Sequence, residues 1–329
     1  MIKIDKTHLQ EFTSLSRATK TKFTLIYKNK KYYFKTCDNI SKVAQTHSLV
    51  NEVLVSHIAR KCGINCVEAH FATVDNGEEK YVGVLTSSFS KQNFIEFDLK
   101  KFTIPYYNHE KDEAGLVGDM DGERYWAKKI KNATYYNNVE HTLKAISFYL
   151  NENGYNKDDY KFADVNKLKT DLTNIAVLDF FVNNQDRHCE NIEILVPNKD
   201  SSAFLKVAPI FDNELCFFDD GSYDDVLYRI NDESFKKKET EYASQIKKFI
   251  AQENLNECKN SLKNLNKLNL DKEIVECLSS EFECSNNMEE ICKKASEFSL
   301  NLRKDSLDGR CKIYNAKQTI FNTSENSIN

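Results

Sequence analysis

Polar and hydrophobic positions in the first part of the chain alternate with the period of β-strands. The alternating runs Phe23–Tyr27 and Tyr32–Thr36 flank a polar turn, a pattern that predicts a hairpin. Two more strand-like runs, at 68–74 and 80–85, are separated by the turn sequence Asp75-Asn76-Gly77. The front of the chain is therefore predicted to form a small sheet.

A helical period separates these two pairs of strands. Apolar residues recur three and four positions apart over residues 48–61, and Gly63 follows as a stop signal. After about residue 90 the pattern becomes mainly helical. The remaining predicted elements are helices at 139–151 and 165–184, strands at 192–196 and 203–207, and amphipathic helices within 240–305.

This order of elements predicts an α+β fold with two lobes. Residues 1–88 form a β-rich N-terminal lobe that carries one helix, and residues 89–329 form a mostly helical C-terminal lobe. The predicted hinge lies near Thr86 to Ser90. A cleft between two lobes is a usual place for a ligand, so the pattern favours a binding site there.

Composition and charge narrow the class of protein. The 329 residues carry a net charge of -4, from 46 basic and 50 acidic side chains, which argues against nucleic acid as a partner. No apolar run reaches the roughly 18 residues that a membrane span requires, and no apolar stretch of a signal peptide follows Met1. The 10 scattered cysteines are expected to be reduced thiols. We therefore expect a cytoplasmic protein.

The candidate chemistry begins in a polar run, residues 183–191, that follows an apolar predicted helix and precedes a predicted strand. Asp186 and Asn191 lie five positions apart in this run. Phosphoryl transfer needs a carboxylate that orients the attacking hydroxyl and an amide oxygen that helps hold magnesium. Taken alone, the run is equally consistent with a polar loop in which Asp and Asn form turns.

Two further segments strengthen this interpretation. Asp212 ends the run Pro209-Ile210-Phe211-Asp212, directly after a predicted strand, where a carboxylate suits magnesium. Lys35 alternates with aromatic residues in a predicted strand, where it can face the cleft and neutralise phosphate oxygens. Glu52, near the edge of the apolar stripe of the following helix, is its candidate partner. An exposed Lys35 and a solvated Glu52 remain the alternative.

Several motifs together resemble one family. Phe34-Lys35, Asn51-Glu52, Asp186-Arg187-His188 with Asn191, and Pro209-Ile210-Phe211-Asp212 occur in the order and spacing of the HipA-like serine/threonine kinases. This resemblance covers about residues 10–225 and implies a two-lobed protein-kinase-like fold. Because phosphoinositide kinases also use Asp-Arg-His-x-x-Asn, that motif specifies the phosphotransferase fold better than the substrate.

The resemblance implies a role for each candidate residue, with ATP and Mg²⁺ as cofactors. Asp186 is implied to be the catalytic base, and His188 either contacts phosphate or transition-state charge or braces its loop. Asn191 and Asp212 are implied to bind magnesium. The implied nucleotide-binding residues are Lys35 and Glu52, the phosphate-loop residues Ser16, Arg17 and Ala18, and Leu85, Thr86 and Ser87 beside the adenine.

The chain departs from the family pattern in two places. The expected phosphate loop, residues 14–21, contains no glycine, although Arg17 and Lys20 add positive charge to it. Ser14 and Ser16 in this loop are candidate sites of self-phosphorylation. The chain also lacks the extra N-terminal subdomain of the longer toxin-type members, so an antitoxin or DNA-repressor partner is not expected.

These observations predict an ATP- and Mg²⁺-dependent serine/threonine protein kinase whose partner is a protein with a Ser or Thr acceptor. The length of the chain and its short N-terminal region also resemble a cell-translocating, pro-inflammatory member of the family. This resemblance implies that the protein could be released and could enter other cells. Two alternatives stay open. One is a lipid or small-alcohol kinase of the same fold, and the other is an inactive nucleotide-binding signalling module.

Overall fold

The computed structural model describes about half of the chain. The described residues are 2–14, 21–36, 43–89, 93–113, 139–154, 165–182, 184, 186–198, 204–216, 260–261, 264–265 and 267–268. Within them the chain forms nine β-strands and four α-helices. The phosphate-loop candidates Ser16, Arg17 and Ala18 lie outside the described residues. So do most of the helices predicted within 240–305.

The front of the chain forms a mixed six-stranded sheet. Its strands are β1 (Ile2–Ile4), β2 (Leu9–Ser14), β3 (Thr21–Tyr27), β4 (Lys30–Thr36), β5 (Ala69–Asp75) and β6 (Lys80–Ser87). Their order is β1-β5-β6-β4-β3-β2, in which β1 and β5 are parallel and the other neighbours are antiparallel. The predicted hairpin is β3 and β4, and its turn places Lys28 and Asn29 at φ 51° and 59°. Positive φ at both central residues is the geometry that matches the twist of the two strands.

The predicted helix after β4 is α1 (Val43–Lys61), which begins five residues before the predicted position at 48. Its apolar residues Leu49, Val53, Leu54 and Ile58 are buried. Gly63 follows the helix at φ 76°, a conformation that glycine adopts without steric cost. The helix therefore ends where the sequence predicts.

The rest of the described chain is built around three helices and a second sheet. These elements are β7 (Phe94–Asp98), α2 (Lys100–Glu113), α3 (Val139–Glu152), α4 (Val165–Val182), β8 (Glu193–Pro197) and β9 (Lys206–Val207). The second sheet has the order β7-β8-β9. Phe102 on α2 packs edge-on against Tyr149 on α3, with ring centroids 4.9 Å apart. Of the predicted strand at 203–207, the described residues 204–207 are in strand conformation at Lys206–Val207.

One hydrophobic core joins the two parts of the molecule. It includes Leu54 on α1, Phe71 on β5, Phe102 on α2, Leu172 on α4 and Ile194 on β8. A smaller core lies within the six-stranded sheet, where Phe34 and Leu25 are fully buried. The chain thus combines α and β elements as predicted, while the division at residue 88 stays a prediction. Across the described residues, no helix has the length and hydrophobicity to cross a membrane.

A parallel bridge connects the loop after α1 to the segment that precedes Asp212. The Val67 N–H donates to the Ile210 carbonyl at 2.9 Å, and the Ile210 N–H donates to the Asn65 carbonyl at 2.9 Å. The Cys66 thiol also donates to the Ile210 carbonyl, at 3.2 Å. These bonds fix the backbone that enters Asp212.

Candidate active site

Lys35 is the centre of a cluster of charged side chains. It lies on β4, its side chain is 11% exposed, and its Nζ is 2.7 Å from Asp212 Oδ1. The same Nζ is 2.9 Å from Glu214 Oε1 and 3.9 Å from Glu52 Oε2. The structure therefore brings the predicted pair Lys35 and Glu52 together with Asp212, and it adds Glu214.

Burial and charge together set the protonation of this cluster. Burial works against the charged form of Lys35, but the carboxylates of Glu52, Asp212 and Glu214 outweigh it and raise the pKa of Lys35 above 10.5. Burial alone would raise the pKa of Asp212, yet Lys35 and its neighbours hold that pKa at about 2. Burial raises the pKa of Glu52 above 4.5, although Lys35 acts to lower it. Lys35 and Asp212 are consequently a charged pair at neutral pH.

Helix α1 holds the segment that follows Asp212. Glu52 Oε2 accepts a hydrogen bond from the Asn213 N–H at 2.6 Å. The neighbouring Asn51 donates through Nδ2 to the carbonyls of Glu214 and Cys216, at 2.9 and 2.8 Å. The sequence places Glu52 at the edge of the apolar stripe, but in the structure its side chain is 1% exposed. It is buried because residues 212–216 cover that edge of the helix.

Asp212 adopts a left-handed backbone conformation with φ 57°. Such a conformation is uncommon for a residue with a side chain, and aspartate is one of the types that tolerate it. It persists because the surroundings fix the chain on both sides, through Ile210 before it and Asn213 after it. As a result, the Asp212 carboxylate contacts Lys35 while the Asp212 side chain remains 24% exposed.

The loop with Asp186 is organised by two asparagine side chains. Asn184 Oδ1 accepts from the Asp186 N–H at 3.0 Å, and Asn191 Nδ2 donates to the Asp186 carbonyl at 2.9 Å. The Asp186 side chain is 48% exposed, so its carboxylate is accessible to a substrate. The predicted pair Asp186 and Asn191 is therefore joined directly.

His188 lies beside Asp186 and caps the short turn at Cys189–Asn191. Its Nδ1 accepts from the Glu190 N–H at 3.2 Å, and its Nε2 is 4.0 Å from Asp186 Oδ1. A ring nitrogen that accepts a hydrogen bond carries no proton, so in the neutral ring the proton is on Nε2, facing Asp186. This geometry supports the loop-bracing role and leaves the phosphate-contact role as a prediction.

The residues expected to meet adenine lie at the end of β6. Leu85 and Thr86 are buried and pair with β4 on one side and β5 on the other. The Ser87 N–H donates to the Glu68 carbonyl at 3.1 Å, so the sheet already uses this donor. A contact between adenine and Leu85, Thr86 or Ser87 stays a prediction.

The oxygen atoms near Lys35 and Asp186 are suited to a magnesium ion. Asn191 uses its amide nitrogen in the bond to Asp186, which leaves Oδ1 as the atom that can bind a cation. Asp212 supplies a carboxylate held in the ionised form. Magnesium takes hard oxygen ligands and commonly uses only one or two protein side chains besides phosphate and water. Asn191 and Asp212 therefore fit the ion that the sequence predicts.

Sequence reasoning missed several residues that build this site. Glu214 is not among the predicted partners of Lys35, and the sequence pattern places Asp179 only within an apolar helix. Asp179 is fully buried and pairs with Arg187. An acid inside the apolar run 175–182 was the available signal, because a buried carboxylate needs a partner.

The fold defines a structural class. The structure has a two-lobed, protein-kinase-like fold, and in this fold the chain resembles the HipA-like kinases. The solved structure of the proinflammatory kinase CtkA of Helicobacter pylori has a TM-score of 0.56 with this chain, at 19% identity, over 96% of this chain and 98% of that one. These values confirm the predicted fold class.

A second solved structure agrees. HipA of Shewanella oneidensis MR-1, in complex with HipB and operator DNA, has a TM-score of 0.52 and 14% identity over 92% of this chain and 67% of that chain. The chain matches no protein-family model and no curated protein sequence. At these identities the two solved structures establish the similarity of fold.

Proposed function

We propose that this protein is an ATP- and Mg²⁺-dependent kinase that phosphorylates serine or threonine side chains of proteins. The observation that carries the proposal is the buried Lys35 with Asp212 and Glu52, together with the accessible Asp186 next to Asn191. Phosphoryl transfer depends mainly on positioning and charge stabilisation, and these side chains supply both. The resemblance to HipA-like kinases favours a protein acceptor.

Each side chain has one task in the proposed reaction. Lys35 binds phosphate oxygens of ATP and is held for this by Glu52. Asn191 and Asp212 hold the magnesium ion, which offsets the charge of the phosphates when it is bound. Asp186 orients the acceptor hydroxyl and accepts its proton. The bond from the γ-phosphorus to the bridging oxygen breaks, a new bond to the acceptor oxygen forms, and ADP leaves.

The test is transfer of phosphate from γ-labelled ATP to a generic protein acceptor with Mg²⁺ present. We expect label on protein with the wild type and a loss of at least about 100-fold in Asp186→Asn, because the proton acceptor is removed while the shape is kept. Asp112→Asn, at an exposed position of α2, is the matched control and should retain activity. Wild-type turnover in Asp186→Asn would contradict the assignment of Asp186.

The same assay separates the remaining alternatives. Panels of phosphoinositides and small alcohols, run beside the protein acceptor, would detect a lipid or small-alcohol kinase. Binding of ATP without transfer to any acceptor would favour the inactive module. Mass spectrometry of the ATP-treated wild type tests self-phosphorylation at Ser14 or Ser16.

A further inference from the structure

Arg187 is buried beneath the candidate site, and all its hydrogen-bond donors are used. Its guanidinium has five N–H donors, and its side chain is 0% exposed. Nε donates to both oxygens of Asp179, at 3.3 and 3.0 Å, and Nη2 donates to Asp179 Oδ1 at 3.2 Å. The other Nη2 hydrogen goes to Asn213 Oδ1 at 2.6 Å. Nη1 donates to the carbonyls of Asn191 and Phe211, at 3.1 and 2.6 Å.

The acceptors of Arg187 belong to three separate parts of the chain. Asp179 lies on α4, Asn191 lies in the loop that carries Asp186, and Phe211 and Asn213 lie on either side of Asp212. A salt bridge with Asp179 alone would use only one edge of the guanidinium. The other edge connects the proposed magnesium ligands Asn191 and Asp212 through the backbone and side chains next to them.

Asp179 extends this connection to Asp186. Its Oδ1 also accepts from Asn184 Nδ2 at 3.2 Å, and its backbone carbonyl accepts from the Asn184 N–H at 2.9 Å. Asn184 in turn accepts from the Asp186 N–H. A single carboxylate on the buried face of α4 therefore anchors both Arg187 and the residue that orients the backbone of Asp186.

We propose that Arg187, anchored by Asp179, is a positioning residue that sets the relative placement of Asn191 and Asp212. This inference rests on the proposed kinase function. It assigns Arg187 a role in activity, whereas an ion pair with Asp179 alone would act only on stability. If Arg187 only stabilised the fold, removing both charges together would restore activity along with stability, since the largest cost comes from leaving one buried charge without its partner. If Arg187 positions the two ligands, removing both charges will restore stability without restoring activity.

The experiment compares Arg187→Lys, the double variant Asp179→Asn with Arg187→Gln, and the control Arg60→Lys. Lysine keeps the charge near Asp179 but cannot reach acceptors on both the loop and the Asp212 segment. Arg60 forms an exposed ion pair with Glu68, so its replacement is a matched change away from the site. The measurements are unfolding by denaturant and the dependence of phosphate transfer on Mg²⁺ concentration.

We expect Arg187→Lys and the double variant to lower kcat by about 10- to 100-fold and to raise the Mg²⁺ concentration needed for half-maximal rate. The KM for the protein acceptor should stay unchanged. The single variant Arg187→Gln is measured beside the double variant, and the double variant should regain stability relative to it. A loss of folded protein would lower the rate without moving the Mg²⁺ midpoint. A wild-type Mg²⁺ midpoint in Arg187→Lys, or recovery of rate in the double variant, would overturn the proposal.

Hydrogen exchange keeps this test separate from the proposed function. We expect faster exchange in peptides covering 186–191 and 211–213 of Arg187→Lys at the same time, with exchange in α4 unchanged. If the wild type transfers no phosphate, the kinase proposal fails and this readout still decides the role of Arg187. Unchanged exchange in both peptides would overturn it.

Discussion

At the scale of single residues, the site depends on charges that stabilise each other inside the protein. Lys35 faces carboxylates from three different positions, Glu52, Asp212 and Glu214. Loss of one carboxylate leaves the ammonium paired, whereas loss of Lys35 would leave buried like charges together. Among these carboxylates, Asp212 has a pKa that Lys35 helps to hold below its ordinary value. The contribution of Asp212 to stability must therefore depend on pH.

We expect the stabilisation from ionised Asp212 to disappear in acid. The folded pKa of about 2 lies below the ordinary value of 3.8. A lowered folded pKa means that the contribution is complete above about pH 4 and is lost as the pH falls towards 2. Asp212→Asn should therefore cost about 2 kcal/mol of unfolding free energy at pH 7, and clearly less at pH 3.

Denaturant unfolding of the wild type and Asp212→Asn at both pH values measures this difference. Asp112→Asn controls for the general loss of one carboxylate, because Asp112 is exposed on α2. A cost of Asp212→Asn that is equal at pH 7 and pH 3 would show that the ionised form of Asp212 contributes nothing to stability.

At the scale of elements, the position of Lys35 depends on how closely β6 approaches β4. Gly83 on β6 pairs with Thr36, next to Lys35 along β4. A Cβ atom at Gly83 would lie 2.0 Å from the Lys35 carbonyl oxygen, a distance that the backbone cannot accept without moving. The close approach of these two strands therefore requires glycine at this position.

We expect Gly83→Ala to displace β4 at Lys35, to lower stability by about 1–3 kcal/mol and to reduce phosphate transfer per folded molecule. Gly63→Ala is the matched control. Gly63 has a positive φ but no atom within 4 Å of the added Cβ, so that change should cost about 1–2 kcal/mol of backbone strain and leave transfer unaffected. Equal transfer by the two variants would refute the link between Gly83 and the site.

At the scale of the whole molecule, a late segment of the chain closes the core behind the site. Leu265 is 3% exposed and belongs to the core that includes α1 and α4. Asn264 Nδ2 donates to the Cys62 carbonyl at the end of α1, at 3.2 Å, and Ser261 Oγ donates to Asn174 Oδ1 on α4, at 2.7 Å. Ser261, Asn264 and Leu265 thus buttress the two helices that hold Glu52 and Asp179.

Leu265→Ala should lower the free energy of unfolding by about 2–4 kcal/mol, because it leaves a cavity in a packed core. Leu268→Ala is the control, since Leu268 is only partly buried against the same core, and its cost should be smaller, about 1 kcal/mol. Equilibrium unfolding in urea measures both. Equal small costs would mean that the segment around Leu265 does not support the core.

The sequence by itself determined the local elements and the candidate chemistry. Alternation and turn residues predicted the hairpin of β3 and β4, and helical spacing predicted α1, because both patterns act between residues close in the chain. The spacing of Asp186 and Asn191 and the carboxylate after Phe211 likewise marked the candidate site. The solved structures confirm the fold class that these elements predicted.

Only the tertiary structure decided how these residues meet. Lys35 and Asp212 are 177 positions apart, and nothing in local periodicity specifies that contact. The burial of Glu52, the contact of Glu214 with Lys35, and the hydrogen bonds of Arg187 all depend on the packing of segments that are distant in the sequence. The physical reason is that a buried polar group must find its partner wherever the fold provides one, and the identity of that partner is a property of the packed molecule.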